Sequence, residues 1–195
     1  MKSIFFVLFL LLGQLANAQY QSLAGEYPKP SISWWGNPIV EIERNAFAFG
    51  AFMGGEGGII LNKHYSIGLY LSTAVGGFYP PGFDDLSYYR NYFDQGGIVA
   101  AYEMNPNEVF HPFVKMRMGY GNFALGESLG TNYLNLGLYV LQPSVGMKIN
   151  INSHLRGGVA MFYRIVNPVD LYLQKDANFN AVGLSLILEV GKFKE

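Results

Sequence analysis

The sequence predicts an all-β fold, a closed antiparallel up-and-down β-barrel of about eight strands that spans a membrane. Half of the residues are hydrophobic, 16% are aromatic and only 14% are charged, against about 25% charged residues in an average soluble domain. Beyond the N-terminal segment, no stretch approaches the roughly 18 consecutive apolar residues that a membrane helix needs. Several segments instead alternate apolar and polar residues with a period of two, the pattern of a strand with two different faces. In lipid, a sheet satisfies all of its backbone groups only by closing on itself.

The N-terminus predicts export, because it has the three parts of a cleaved signal peptide. Lys2 supplies a positive charge, residues 4–12 form an unbroken apolar run, and residues 16–18 read Ala-Asn-Ala, a pattern that signal peptidase cleaves after. The apolar run is about half as long as a membrane-spanning helix. We therefore predict a signal peptide at 1–18, a periplasmic N-terminal extension at 19–33 and one barrel domain at 34–195.

Composition excludes several classes of function. The sequence has no cysteine, which excludes disulfides, a thiol nucleophile, a thiolate metal site and a lipidated cysteine after the signal peptide. The formal net charge is −1, so the chain lacks the positive field that nucleic-acid binding requires. Nucleic acid is therefore not a predicted partner.

The strands are predicted from the alternation, in chain order. In the segment 155–165, for example, Val159 and Met161 fall on one face, whereas Arg156 and Arg164 fall on the other. The stretch 46–61 alternates less cleanly, because Phe52 falls on the face that also carries glycines and a glutamate. A short first strand is needed to make the number of strands even. The predicted strands cover 38–43, 46–61, 65–75, 97–104, 114–120, 139–149, 155–165 and 182–191.

The connections between these strands alternate in length. Short polar turns are predicted at 62–64, 105–108 and 150–153, and longer connections at 78–94, 124–134 and 167–178. Outer-membrane barrels have short periplasmic turns and longer external loops. The alternation therefore predicts that the chain ends on the periplasmic side.

The inward faces of these strands carry most of the predicted charges of the barrel. Eight strands leave an interior just wide enough for side chains to fill, and an unpaired charge in such a space is costly. We therefore predict a structural core of paired charges, with a narrow, charge-lined ion channel as the alternative. The predicted lumen charge network consists of Glu41, Glu43, Glu56, Glu103, Lys115, Arg117, Lys148, Arg156, Arg164 and Glu189.

Candidate catalytic residues are few. His64 and His154 fall in or beside predicted periplasmic turns and His111 near the start of a strand, so all three lie near one rim. A serine such as Ser66 or Ser153 could in principle join a histidine and a glutamate there, but no spacing requires it. The sequence has no G-x-S-x-G, phosphate-loop or H-E-x-x-H motif. We predict no catalytic residue, no metal site and no cofactor.

The external loop predicted at 78–94 is rich in aromatic residues. Aromatic side chains with a polar tip suit contacts with protein, glycan or lipid headgroups, whereas the alternative is an aromatic girdle at the membrane boundary. The candidate residues for external-loop binding are Tyr79, Phe83, Tyr88, Tyr89, Tyr92 and Phe93.

Two stretches of the sequence resemble hairpins of known proteins. The stretch 54–62 followed by 66–69, and the stretch from Leu141-Gln142-Pro143 through Asn150, resemble hairpins of small outer-membrane β-barrel proteins of Gram-negative bacteria, in detail uncharacterised ones from Bacteroidota. The resemblance implies a bacterial outer-membrane location, contact with outer-membrane lipid, and the barrel-assembly machinery and periplasmic chaperones as partners during biogenesis. Such barrels often end on an aromatic residue, whereas here Lys194 and Glu195 follow Phe193, which strict alternation would turn inward.

The combined prediction is a non-enzymatic barrel with a structural, accessory or surface-binding role. A lipid A-modifying hydrolase is the alternative from a different class, and a narrow ion channel is a second alternative. A soluble barrel of the lipocalin kind would have the opposite polarity, with apolar residues inside and charges outside.

Overall fold

The computed structural model describes residues 30–45, 49–75, 90–126, 132–169 and 179–193. The predicted signal peptide and the part of the predicted extension at 19–29 lie outside these residues. The described residues form eight strands: β1 (Ile32–Asn45), β2 (Phe49–Leu61), β3 (Tyr65–Val75), β4 (Arg90–Glu103), β5 (Phe110–Gly126), β6 (Asn132–Asn150), β7 (Leu155–Pro168) and β8 (Ala181–Gly191).

Each strand pairs antiparallel with its neighbours in the chain, and β1 also pairs with β8. The sheet is therefore a closed up-and-down barrel, which confirms the predicted fold class. Because the sheet is closed, its strands present no free edge of unpaired backbone groups. Within the described ranges, no helix is long and apolar enough to cross a membrane.

The turns at 62–64, 104–109 and 151–154 lie at one end of the barrel, which we call the short-turn end. The opposite end, where each connection includes residues outside the described ranges, is called the long-loop end. Asn62, Lys63 and Asn105 have positive φ angles of 51°, 65° and 49°. Asparagine adopts this left-handed conformation more easily than most residues, and this preference suits positions 62 and 105 to tight turns.

Side chains alternate between the two faces of the wall along each strand. In β8, Leu184 and Leu186 are exposed at 58% and 56%, whereas Ser185 and Glu189 are each exposed at 2%. Phe193, just beyond β8, is buried as strict alternation predicts. The wall is therefore apolar outside and largely polar inside over most of its height.

Six of the eight strands are longer than predicted, mainly at the long-loop end, whereas β3 matches its predicted bounds and the described part of β2 begins at Phe49. β4 begins at Arg90 rather than 97, and β5 extends to Gly126. β6 begins at Asn132 rather than 139. In these added segments Asp94 and Asn135 are exposed, whereas Phe123 and Leu136 are buried. The polarity of the two faces is reversed there, so the pattern used to predict strands no longer marks their extent. At the short-turn end, β1 begins at Ile32, six residues before its predicted start.

Glycines on the inner face bring two strands close together. Gly97 of β4 is paired with Gly119 of β5. A Cβ atom at Gly119 would lie 2.9 Å from the Tyr70 hydroxyl and would also contact the carbonyl oxygen of Gly96. Glycine at position 119 therefore makes room for the Tyr70 ring in the interior.

Candidate functional site

All ten residues of the predicted lumen charge network lie inside the barrel, each exposed at 8% or less. They fall into two groups. The upper cluster, toward the long-loop end, contains Glu41, Glu43, Glu56, Lys115, Arg117 and Arg164. The lower cluster, toward the short-turn end, contains Glu103, Lys148, Arg156 and Glu189.

Arg117 joins two glutamates in the upper cluster. Its Nη1 atom donates to Glu41 Oε1 at 2.5 Å and its Nε atom donates to Glu56 Oε2 at 2.7 Å. Lys115 Nζ donates to the other Glu56 oxygen at 2.7 Å. The Tyr70 ring lies 5.4 Å from the Arg117 guanidinium carbon. Both carboxylate oxygens of Glu56 thus accept hydrogen bonds from cations.

Arg164, on β7, completes the upper cluster. It donates to Glu41 Oε2 at 3.0 Å through Nη2 and to Glu43 through Nη1. Its Nε atom donates to Gln142 Oε1 at 3.1 Å, and the Phe52 ring centroid lies 4.0 Å from its guanidinium carbon. The planar guanidinium is therefore held at its edge by hydrogen bonds and on its face by an aromatic ring.

The lower cluster is organised around Glu103. Lys148 Nζ donates to Glu103 Oε1 at 2.6 Å and also to Glu189. Arg156 Nη1 donates to Glu103 Oε2 at 2.8 Å. The Phe193 ring centroid lies 3.9 Å from the Arg156 guanidinium carbon, which is within cation–π range.

The charges within each cluster are balanced. The upper cluster has three glutamates against one lysine and two arginines, and the lower cluster has two glutamates against one lysine and one arginine. A buried charge without a partner is strongly destabilising, whereas a paired and hydrogen-bonded one is tolerated. Both clusters therefore satisfy the electrostatic requirement of a filled interior.

Apolar side chains occupy the interior at the long-loop end, a feature that the sequence analysis missed. We call this group the apolar plug. The sequence indicates this group through apolar residues at inward positions beyond the predicted strand ends, for example Phe123 and Leu136. The plug consists of Phe52, Phe93, Phe123, Leu136, Leu138, Val140, Val166 and Phe179.

The three histidines have different surroundings. His64 Nδ1 donates to the Glu103 carbonyl oxygen at 2.8 Å, whereas His154 Nδ1 lies 2.9 Å from the hydroxyl of its neighbour Ser153. His111 points inward, and its Nε2 atom lies 3.6 Å from Glu103 Oε2. In the part of the chain that the structure describes, no three His, Asp or Glu side chains are grouped to hold a metal ion.

Two of the residues predicted for external-loop binding belong to β4 instead. Phe93 is fully buried in the apolar plug, so its side chain is not available to an external partner. Tyr92 is half exposed on the outer face of the wall. The alternation of apolar outward residues does not mark this part of β4, because Asp94 faces outward and Phe93 inward at this height. Tyr79, Phe83, Tyr88 and Tyr89 lie outside the described residues.

The outer wall carries a continuous apolar belt, formed by the outward side chains of all eight strands. Aromatic residues border it at both ends. A lower collar at the short-turn end contains Trp34, Tyr65, Tyr102 and Phe110, and an upper collar contains Phe49, Tyr92, Tyr120, Tyr139 and Tyr163. The charged side chains Arg44 and Asp94 are exposed near the long-loop end and Lys192 is exposed beyond β8.

Comparison with known proteins shows a shared fold. No protein-family model matches the sequence, and no curated protein matches it. Neisserial surface protein A has a similar structure, with a TM-score of 0.59 and 10% identity, and the match covers 86% of this chain and all of that one. The N-terminal β-barrel domain of Pseudomonas aeruginosa OprF matches with a TM-score of 0.53 and 12% identity, over 82% of this chain and 96% of that one. The outer membrane protein OprG from the same species matches with a TM-score of 0.51 and 11% identity, over 84% and 96%. The chain therefore has the fold of small eight-stranded outer-membrane barrels.

Proposed function

We propose that the chain is a non-enzymatic outer-membrane barrel with a structural, accessory or surface-binding role. The observation that carries this proposal is the polarity of the wall, with an apolar belt outside and neutral ion clusters inside. A soluble barrel would place charged side chains toward water and apolar ones toward its interior. The belt would be destabilising in water but suits a lipid environment.

The height of the belt supports this proposal. In β8, the outward residues from Val182 to Val190 are all apolar and exposed. Eight residue steps of about 3.3 Å extend roughly 26 Å along the strand. A strand tilt of about 40° reduces this to roughly 20 Å along the barrel axis, close to the apolar band of about 25 Å on membrane barrels.

The orientation follows from the same proposal. Short turns face the periplasm in outer-membrane barrels, so the short-turn end is proposed to be periplasmic. The predicted signal peptide at 1–18 would bring the chain to that compartment, and periplasmic chaperones and the barrel-assembly machinery would then insert it. The Bacteroidota resemblance is part of this proposal and stays a prediction.

A filled interior argues against the channel alternative. The ion pairs occupy the middle of the barrel, and the apolar plug closes the interior at the long-loop end. We therefore expect the purified protein to show no steady unitary conductance in planar bilayers after verified insertion. Reproducible conductance steps would support the channel instead.

The hydrolase alternative requires a nucleophile and a base on the lipid-facing wall. Among the described strand residues, the one histidine is His111, and its side chain points inward. The assay is incubation of the protein with lipid A followed by mass spectrometry. We expect unchanged lipid masses, whereas the loss of an acyl group would support the enzyme.

The membrane proposal is tested by heat-modifiable migration. Folded protein should resist SDS and migrate anomalously until it is boiled, and it should insert into preformed liposomes. A protein that stays soluble without detergent and unfolds in cold SDS would contradict the proposal. Binding through the external aromatic residues is a separate part of it, tested by replacing Tyr79, Tyr88 and Tyr89 by serine in glycan-array and cell-adhesion assays.

A further inference from the structure

A groove of about 730 Å³ crosses the apolar belt on the outer wall. One side of the groove follows a row of paired residues that runs from strand to strand, and the row comprises Tyr65, Tyr102, Val114, Val145 and Met161. Its floor is low because the next row includes the small residues Ala100 and Pro143, with the unbranched side chain of Met116 between them.

Pro143 also interrupts the sheet at this floor. The β6–β7 pairing runs from Leu141 with Ile165 to Ser144 with Phe162, and Gln142 and Pro143 have no partner in β7 within that ladder. Proline has no N–H to donate, so it cannot complete a ladder hydrogen bond. The wall is therefore recessed at the centre of the groove, where β6 is paired with β5 but locally unpaired on its β7 side.

The groove presents almost no polar group. Lys115 contributes to its lining, but the Lys115 ammonium points inward to Glu56 at 2.7 Å. The Ser144 hydroxyl donates to the Lys115 carbonyl oxygen at 3.2 Å. A peptide in the groove would leave its backbone groups without partners in lipid, which is costly. A hydrocarbon chain needs no such partner.

The groove crosses most of the height of the apolar belt, from Tyr65 and Tyr102 of the lower collar to Tyr163 of the upper collar. It passes from β3 to β8, which is five interstrand steps of about 4.8 Å or roughly 24 Å. Strands tilted by about 40° make this row equally oblique, so it rises by roughly 15 Å of the roughly 20 Å that the belt spans. The groove starts at the lower collar, where Tyr65 and Tyr102 are in ring contact at 5.2 Å.

The short-turn end of the groove offers a position for a headgroup. His64 is stacked on Tyr102 at 6.0 Å, and Lys63 precedes His64 in the same turn. Tyrosine rings are favoured at the level of lipid headgroups, and an ammonium group binds phosphate as a point charge. The apolar groove thus ends at an aromatic rim, and the turn next to this rim carries a cation, Lys63.

We propose that this groove binds one acyl chain of a phospholipid from the leaflet at the short-turn end, with the phosphate beside Lys63. The proposal rests on the proposed membrane location. A second copy of the chain is a poorer occupant, because a symmetric dimer through this face would place one groove against another and leave a void. One lipid fills the groove without that loss of packing.

The experiment is native mass spectrometry of the protein released from nanodiscs of phosphatidylethanolamine and phosphatidylglycerol. The wild-type protein should keep one phospholipid at activation energies that remove the others. Ala100→Trp fills the floor and should abolish this adduct, whereas Ala51→Trp, the matched control on β2, should keep it. If Ala100→Trp does not fold, Val145→Trp at the edge of the groove replaces it.

The outcomes separate the two proposals. Protein that never enters nanodiscs contradicts the membrane location itself. Protein that inserts but keeps no lipid, or keeps it equally in Ala100→Trp, overturns the groove alone. A wild-type dimer that Ala100→Trp dissociates assigns the groove to a second copy and also overturns it.

A separate variant tests the proposed position of the headgroup. Lys63→Gln should lower the share of phosphatidylglycerol in the retained adduct, whereas Lys192→Gln, which removes an exposed cation elsewhere, should not. An unchanged share in Lys63→Gln overturns the assignment of the phosphate to Lys63.

Discussion

Replacing Arg117 by methionine should destabilise the barrel strongly, because Arg117 is the cation that Glu41 and Glu56 share. Arg117 is fully buried and its hydrogen bonds to the two carboxylates are 2.5 and 2.7 Å long. Arg117→Met leaves the upper cluster with three glutamates and two cations. Removing one partner of a buried ion pair costs about 3–5 kcal/mol. The equilibrium constant for unfolding should rise by roughly two to three and a half powers of ten.

The assay is equilibrium unfolding in guanidinium chloride with the protein in lipid vesicles, followed by fluorescence of Trp34 and Trp35. Lys192→Met is the matched control, because it removes an exposed cation at the end of the wall, and it should change the free energy of unfolding by less than about 0.5 kcal/mol.

A second variant separates charge from packing. Arg117→Met combined with Glu56→Gln restores a neutral cluster, so the double variant should be destabilised by at least about 1 kcal/mol less than the sum of the single variants. Additive effects, or an Arg117→Met variant within about 1 kcal/mol of wild type, would refute the account of the interior as an obligatory ion-pair network.

Three further predictions concern the wall and the ends of the barrel. Leu186→Arg places a charge at mid-belt and should cost about 2–4 kcal/mol in vesicles, whereas Asn135→Arg above the belt should cost about 0–1 kcal/mol, and equal costs would argue against the proposed membrane position. Phe193→Ala removes the ring stacked on Arg156 and should lower the free energy of unfolding by about 3–5 kcal/mol, measured in the same guanidinium titration. Gly119→Val should prevent formation of the heat-modifiable band, because its side chain would collide with the adjacent strand, and normal folding would contradict the close approach there.

The sequence was sufficient for the fold class and for the two faces of most strands. A period of two places Arg156 and Arg164 on one face and Val159 on the other, whatever the rest of the chain does. The same pattern was insufficient at the long-loop end, where Asn135 is outside and Phe123 inside. Alternation there has the polarity of a water-soluble sheet, so the pattern of apolar outward residues ends before the strands do.

The candidate site shows the same division between local pattern and long-range contact. Alternation indicates that Glu41, Arg117 and Arg164 face inward, but it does not indicate which of them touch. Glu41 accepts hydrogen bonds from Arg117, 76 positions away in the sequence, and from Arg164, 123 positions away. These pairs depend on the register of every intervening strand.

The sequence by itself determined that this chain forms a barrel with its charges inside, because residue polarity and a two-residue period act along each strand separately. Only the tertiary structure decided which charges pair and where the apolar plug closes the interior. It also decided that Ala100, Met116 and Pro143 are neighbours in one groove. The physical reason is closure of the sheet. Strand registers are fixed only when all eight strands hydrogen-bond in a ring, and each contact across the interior or along the wall follows from those registers.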